Sequence, residues 1–302
     1  MTIGRSDTAR VAVLTIIDEE FDAMRTRLGG SNVVEIETSG FYSPDPKTCD
    51  VVLGMSADRS NVPANESARE LLEHFRPELL VVCGVAGGIA GRSTAAGPVA
   101  PGHVVVADTL HYIAFRKLTE QRDVLRRYAH DDPSAGLVNR HARPLAREMD
   151  LLTELGEERR APRREAGQAW PPKLHVGPVI VGESVMGDPH HPEQRLAASR
   201  VDNALAVDME SIGAARAVHT MRDDVNYNPT ILVVRGMSDM VQVADSQTEA
   251  EDPGQEEAND RQRGRWKPFA AAATSCVVER IISRFLADPD PRAAVRFARH
   301  DF

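Results

Sequence analysis

Short apolar runs rich in β-branched residues recur along the chain, and they constrain its fold more than any other feature. The first three are Val11–Ile17, Asp50–Met55 and Leu79–Gly84. After the first, Asp18-Glu19-Glu20 leads into Phe21, Met24 and Leu28 at helical spacing; between the second and third, Val62–Phe75 is helical and Pro77 closes it. Strand, helix and strand at this spacing indicate a parallel crossover, because parallel neighbours need a long connection. Val104–Ala107, Pro178–Gly182, Leu205–Met209 and Ile231–Arg235 continue the series, while Ser211–His219 and Ala270–Leu286 read as covering helices. The pattern predicts an α/β fold with a mostly parallel sheet.

At 302 residues with 42% hydrophobic content, the chain can fill one large core, so a single domain over 1–302 is expected. Two segments break the rhythm. Leu118–Leu174, rich in Arg, Glu and Pro, reads as a helical excursion centred on Ala142–Leu155, with a mobile stretch at Glu157–Gln168. Residues 242–265 are polar, and strongly acidic up to Asp260, which predicts a flexible loop; 287–302 read as a peripheral tail. A formal net charge of -9 gives no general attraction to nucleic acid or to an anionic membrane. Cys49, Cys83 and Cys276 show neither a disulfide framework nor metal-ligand spacing, and the amino end shows no signal-peptide pattern or membrane span. A cytoplasmic protein is expected.

Three carboxylate-bearing motifs stand at strand ends, where open α/β sheets place their ligands. They are IIDEEF with Glu20, AVDMES with Asp208 and Glu210 flanking Met209, and VVRGMSDM with Arg235, Ser238 and Asp239. A charge directly after an apolar strand is costly to bury unless it is used or paired. Each alone also fits a helix cap or a solvated turn. In VVCGVAGGIAG, Gly84, Gly87 and Gly88 admit two readings: a phosphate or ribose cradle, or a tight strand-to-helix turn. Arg59, in SADRSN, could hold phosphate oxygens bidentately or lie in a solvated loop. His190 and His191 beside Asp188 are adjacent, so they do not converge on one ion, and no third ligand is spaced for zinc. No metal and no cofactor is expected. His103 and His111 flank a strand as structural or interface residues, and Trp266 and Phe269 anchor the last helix.

Taken in order, IIDEEF, NVPANESARELLEHFRPELLVVCGVAGGI, PGHVVVADTLHYI, GPVIVGESVM, LAVDMESIGAARA, VVRGMSD and WKPFAAAATSCVVERII cover most of Val11–Leu286. In these segments the chain resembles the nucleoside phosphorylase and nucleosidase superfamily, in particular methylthioadenosine/S-adenosylhomocysteine nucleosidases. The resemblance implies a three-layer α/β/α sandwich around a twisted, partly barrel-like sheet, an N-glycosidase acting on a small-molecule purine nucleoside or nucleotide, and a homo-oligomer. It gives Asp239 the role of protonating or hydrogen-bonding N7 of the leaving purine. Glu210 would bind the ribose hydroxyls and stabilise the oxocarbenium-like sugar, with Met209 packed on the ribose. Glu20 would orient or deprotonate the attacking water, Arg235 would hold that carboxylate or water, and Ser238 would set Asp239. Gly84, Ala86, Gly87, Val185, Met186 and Arg59 complete the expected substrate-binding set.

The chain also departs from the family. Val185 and Met186 stand where the purine's aromatic platform lies, so stacking would fall to Phe41, Tyr42 or Tyr112, or the base preference differs. Asp208 replaces the first acid of the usual Glu-Met-Glu run, a position whose role is mainly structural. Val81, Val82 and Cys83 precede the glycines where one phosphorolytic branch places a phosphate-binding arginine, which favours water as the acceptor. A purine nucleosidase releasing free base and sugar is the expectation. The alternatives are a phosphate-dependent phosphorylase, a nucleotide-depleting antiphage effector consuming ATP, and a non-catalytic nucleoside-binding protein.

Overall fold

The computed structural model describes residues 9–36, 40–118, 123–156, 161–164, 168–185, 203–224, 227–242 and 255–287, together with 191, 194 and 201. The first strand, β1 (Val11–Thr15), shows why the molecule is layered. Its residues are all buried, and they alternate between two clusters: Val11 and Val13 pack on one face of the sheet, Ala12 and Leu14 on the other.

The main sheet is built from β1, β2 (Val34–Ile36), β3 (Phe41–Ser43), β4 (Val51–Met55), β5 (Leu79–Ile89), β8 (Val104–Tyr112), β11 (Leu174–Val181), β12 (Ala206–Asp208) and β13 (Thr230–Val241). Two small hairpins, β6 (Ser93–Thr94) with β7 (Gly97–Pro98) and β9 (Arg116–Leu118) with β10 (Asp123–Leu125), stand apart from it. The spatial order is β12, β11, β8, β13, β5, β1, β4, β3, β2. β12 also pairs with β5, through Ala206 opposite Gly88 and Val207 opposite Gly87, so one end curls into a barrel-like ring. The sheet is mixed. β4, β1, β5 and β13 run parallel, as do β8, β11 and β12, whereas the β13–β8 and β12–β5 seams and the β2–β3–β4 edge are antiparallel.

Helices cover both faces. α1 (Asp18–Leu28) follows β1, and α2 (Asn61–Phe75) crosses from β4 to β5. The excursion supplies α3 (Ala135–Leu137), a π-turn at Val138–Ala142, α4 (Arg143–Glu148) and α5 (Leu151–Leu155). It fills core: Leu137, Val138, Leu145 and Leu151 are buried in one cluster with Ala273, Val277 and Ile281. α6 (Ser211–Met221) lies against α2, and α7 (Gln255–Ala287) lies along β13. A side chain at Gly213 would overlap the Asn61 carbonyl, and one at Gly236 would overlap the Ala270 carbonyl and the Thr274 hydroxyl. Both glycines permit backbone-level packing.

Two sequence expectations change here. Gly84, Gly87 and Gly88 lie within strand β5, so no strand-to-helix turn is formed there. Residues 255–265, expected as flexible loop, are the first turns of α7. Their polar sequence conceals a helix because what fastens it is tertiary: Gln262 Oε1 accepts from the Met240 amide at 2.9 Å. Pro268 stands inside this helix. Residues 157–160 and 165–167 of the expected mobile stretch, 243–254 of the acidic segment, the tail 288–302, Met186 and His190 lie outside the described residues. No helix among the described residues is long and apolar enough to cross a membrane.

Candidate functional site

A cleft of about 170 Å³ opens at the carboxyl ends of β1, β12 and β13 and along the second half of β5. Its floor begins with Glu20, in the first turn of α1, where a carboxylate suits the positive end of a helix. Oε2 accepts from the Ile16 and Ile17 amides at 2.9 and 3.3 Å, and Oε1 from the Val85 amide at 2.7 Å. Gly84 explains how this carboxylate reaches β5. A Cβ there would lie 2.7 Å from Glu20 Oε1 and nearer still to Arg235 Nη1.

Arg235 is fully buried beneath the cleft. Its Nε donates to Asp208 Oδ2 at 2.7 Å, and its Nη2 donates to Ser211 Oγ at 3.1 Å and to Glu210 Oε2 at 3.5 Å. Nη1 has no hydrogen-bond partner among the described residues. Asp208 also accepts from the Ser211 hydroxyl. Glu210 stands just before α6 without a side-chain hydrogen bond to the helix, and its Oε2 accepts from the Met209 amide at 3.4 Å. One guanidinium thus serves three acids. Burial, against the pull of Arg235, pushes the Glu210 carboxyl up to about 7, with the charges of Asp208 and Glu20 adding to the rise. Burial likewise raises Glu20, again against Arg235. Arg235 is held above its usual value: burial opposes its charge, but Asp208, Glu210 and Glu20 outweigh that.

The opposite wall is set by β13 and α7. The β13–β5 register slips between Met237 and Asp239, so Ser238 is the extra residue of a bulge and Asp239 falls opposite Gly87. Asp239, buried, accepts from Ser238 Oγ at 2.6 Å and from Arg263 Nη2 and Nε at 3.0 and 3.3 Å. One turn along α7, Lys267 Nζ pairs with Glu19 Oε1 at 2.6 Å. That hydrogen bond, against a smaller effect of burial, lowers the Glu19 carboxyl, and the positive charges of Lys267 and Arg59 help.

Of the residues expected from sequence, Glu20, Arg59, Ala86, Gly87, Val185, Met209, Glu210, Ser238 and Asp239 line this one cleft. Arg235 and Gly84 lie beneath it, supporting the floor. The three candidate stacking rings point elsewhere. Phe41 packs edge-on against Phe75, Tyr42 against Phe21, and Tyr112 beside Tyr128 while its hydroxyl donates to Glu183 Oε1 at 2.6 Å. Val207, Val241 and Val185 give the cleft aliphatic surface instead. His103 is buried on His175, ring nitrogens 2.9 Å apart, as expected of a structural residue. No group of His, Cys, Asp and Glu among the described residues could hold a metal ion. Sequence reasoning missed Arg263 and Lys267. Their spacing of four residues on either side of Trp266 was the available sign that the last helix starts early.

The family model described as the Phosphorylase superfamily matches residues 11–272. The chain belongs to the phosphorylase superfamily. Within it, the chain is 24% identical over 283 residues to a death domain-containing ATP nucleosidase from Amphimedon queenslandica, covering 87% of this chain but 46% of that protein. It thus spans about half the length of that relative. A 5′-methylthioadenosine/S-adenosylhomocysteine nucleosidase from Anoxybacillus flavithermus is 24% identical over 230 residues, 76% of this chain and 85% of its own length. Among solved structures, the putative nucleosidase of that type from Borrelia burgdorferi, bound to adenine, superposes with a TM-score of 0.65 at 14% identity, covering 91% of this chain and all of that one (100%). The Neisseria meningitidis nucleosidase in complex with methylthio-immucillin-A gives 0.60 at 17% identity, covering 91% and 99%. These structures share the α/β fold.

Proposed function

We propose that this superfamily member is a purine nucleosidase that hydrolyses the N-glycosidic bond to free base and sugar. The observation carrying this reading is the meeting of Glu20, Glu210 and Asp239 in one cleft, with Arg235 buried behind the first two. Breaking the bond builds positive charge on the sugar and negative charge on the base. Glu210, short of compensating positive charge, faces the sugar and stabilises the oxocarbenium-like centre; Met209 packs on the ribose. Asp239, oriented by Ser238, sits at N7 of the purine as the group that assists departure. Glu20, fixed by three backbone amides, orients the attacking water, and the unpaired Nη1 of Arg235 next to it can donate to the same water. A floor carrying three carboxylates repels a phosphate dianion from the nucleophile's position, which favours water over phosphorolysis. The two relatives from Amphimedon queenslandica and Anoxybacillus flavithermus are both nucleosidases, which agrees with this reading.

The test is release of free base from a panel of purine nucleosides and nucleotides in phosphate-free buffer. Hydrolysis releases base there; an enzyme that stalls until phosphate is added is a phosphorylase, and one that binds purines without releasing base is the non-catalytic protein. We carry a homo-oligomer as part of the same proposal, with light scattering of the purified protein as its check.

A further inference from the structure

We propose that Arg59 and Lys267 form a phosphate subsite at the mouth of the cleft, and that it takes the 5′-phosphate of a purine nucleotide. The inference rests on the nucleosidase reading for the direction in which the ribose lies. In a chain of net charge -9, three cations line one cleft: Arg59, Arg263 and Lys267. Arg263 is committed to Asp239 by two hydrogen bonds. The other two share a single acid. Lys267 pairs with Glu19, whose side chain is 43% exposed, and Arg59 acts on the same carboxylate only through its charge. Asp58, the other carboxylate at this corner, accepts from the Arg59 backbone amide, and a bridge of the exposed Lys267–Glu19 kind is weak enough for a phosphate to displace.

Arg59 is presented by a fixed turn. Ser56 Oγ donates to the Asp58 carbonyl at 2.7 Å, the Arg59 amide donates to Asp58 Oδ1 at 2.7 Å, and Ser60 follows with φ of 90°. The start of α2 behind it is pinned by Asn61, which donates to the Gly182 carbonyl at 3.0 Å and accepts from the Gly213 amide at 2.9 Å. With the base at Asp239, the ribose hydroxyls at Glu210 and C1′ facing Glu20, the substituent left over is the one on C5′. Glu19 adjoins Glu20 in α1, so its cationic neighbours stand where that substituent can reach them. A neutral, apolar substituent there would have to desolvate a guanidinium and an ammonium without pairing them, which is unfavourable. A phosphate pairs both, the guanidinium bidentately.

Free orthophosphate offers the same chemistry, so the experiment separates the two sources. Adenosine 5′-monophosphate, adenosine and orthophosphate are titrated into the full chain by calorimetry, and adenine and sugar products are measured for the two purine compounds. The expected result is that the monophosphate binds at least tenfold tighter than adenosine, and that this ratio falls at least tenfold in Arg59→Gln and in Lys267→Gln, judged within each variant so that general damage cancels. The subsite is overturned if the ratio is near one in the unaltered protein or survives both substitutions. It is also overturned if orthophosphate binds, depends on both residues, and appears in the product as ribose 1-phosphate. A tight, residue-dependent monophosphate with no adenine release would keep the subsite and remove the nucleosidase reading; adenine release from adenosine without preference for the phosphate would do the reverse.

Discussion

The floor of the cleft and its α7 wall compensate their carboxylates in opposite ways. On the floor Glu20, Asp208 and Glu210 share one buried guanidinium, and burial raises both Glu20 and Glu210. On the wall each acid has its own cation, Arg263 for Asp239 and Lys267 for Glu19, and Glu19 is lowered. The difference matches the charge separation of glycosidic cleavage. A floor short of positive charge gains most when a cation forms beside it, while a wall rich in cations tolerates the electron density gathering on the base and any anion carried at C5′.

Replacing the wall's acid gives the largest expected effect. Asp239→Asn keeps a hydrogen-bonding group near N7 but cannot deliver a proton, so turnover of natural purine substrates should fall by roughly two to four orders of magnitude. A ribosyl substrate with an activated nitrophenol leaving group should lose much less. Equal slowing of both, with binding unchanged, would take leaving-group assistance away from Asp239.

Glu210→Gln tests the floor, with a loss of roughly a hundredfold or more if preorganised charge opposes the sugar cation. The same substitution should raise stability. A carboxyl held near 7 in the folded state, against an ordinary value of 4.5, contributes stability that is present below 4.5 and lost as pH rises through about 7. At pH 8 the glutamine variant should therefore exceed the unaltered protein by up to about 3 kcal/mol, with the gap closing towards pH 5. Denaturant melts at the two pH values read this directly; a variant less stable at pH 8 would mean that Arg235 compensates the floor fully. Because the proposed mechanism uses Glu210 ionised, kcat/KM should also climb through an acid limb near 7.

The smallest effect should come from Arg263→Gln. Arg263 is partly exposed (31%), and Asp239 retains Ser238 without it, so kcat/KM should change by about tenfold or less. A loss matching that of Asp239→Asn would show that the wall's charge pairing matters as much as the acid itself.

The floor was legible in the sequence because it is short-range in character. Glu20, Asp208, Glu210 and Arg235 each end or closely follow an apolar run of the sequence, and a buried charge in such a place must be used or paired. The alternating strands likewise announced the α/β layers. Of the wall, Ser238 and Asp239 were legible, but the α7 part was not. Residues 255–265 are polar on every side, so hydrophobic periodicity had nothing to report; the hydrogen bonds to Asp239 and Met240 that fasten them come from β13, remote in sequence. The glycines of β5 misled for a related reason. One of their two readings was a tight turn, yet they continue the strand: Gly84 is small to admit Glu20 and Arg235, and Gly87 because a Cβ would stand 2.7 Å from Val241 Cγ2.

The placement of Pro268 within α7 has a mechanical consequence. Below it, the helix is clamped to β13 where Gly236 meets Ala270 and Thr274. Above it, Arg263 and Lys267 reach the cleft. Proline has no amide hydrogen to return to the carbonyl four residues back, at Gly264, so the rod has a joint between shaft and tip. Trp266, on the tip's side of that joint, is fully buried and keeps this stretch in the core, so it is at part-exposed positions such as Arg263, which faces the cleft, that substrate preference can drift at the least cost to the fold.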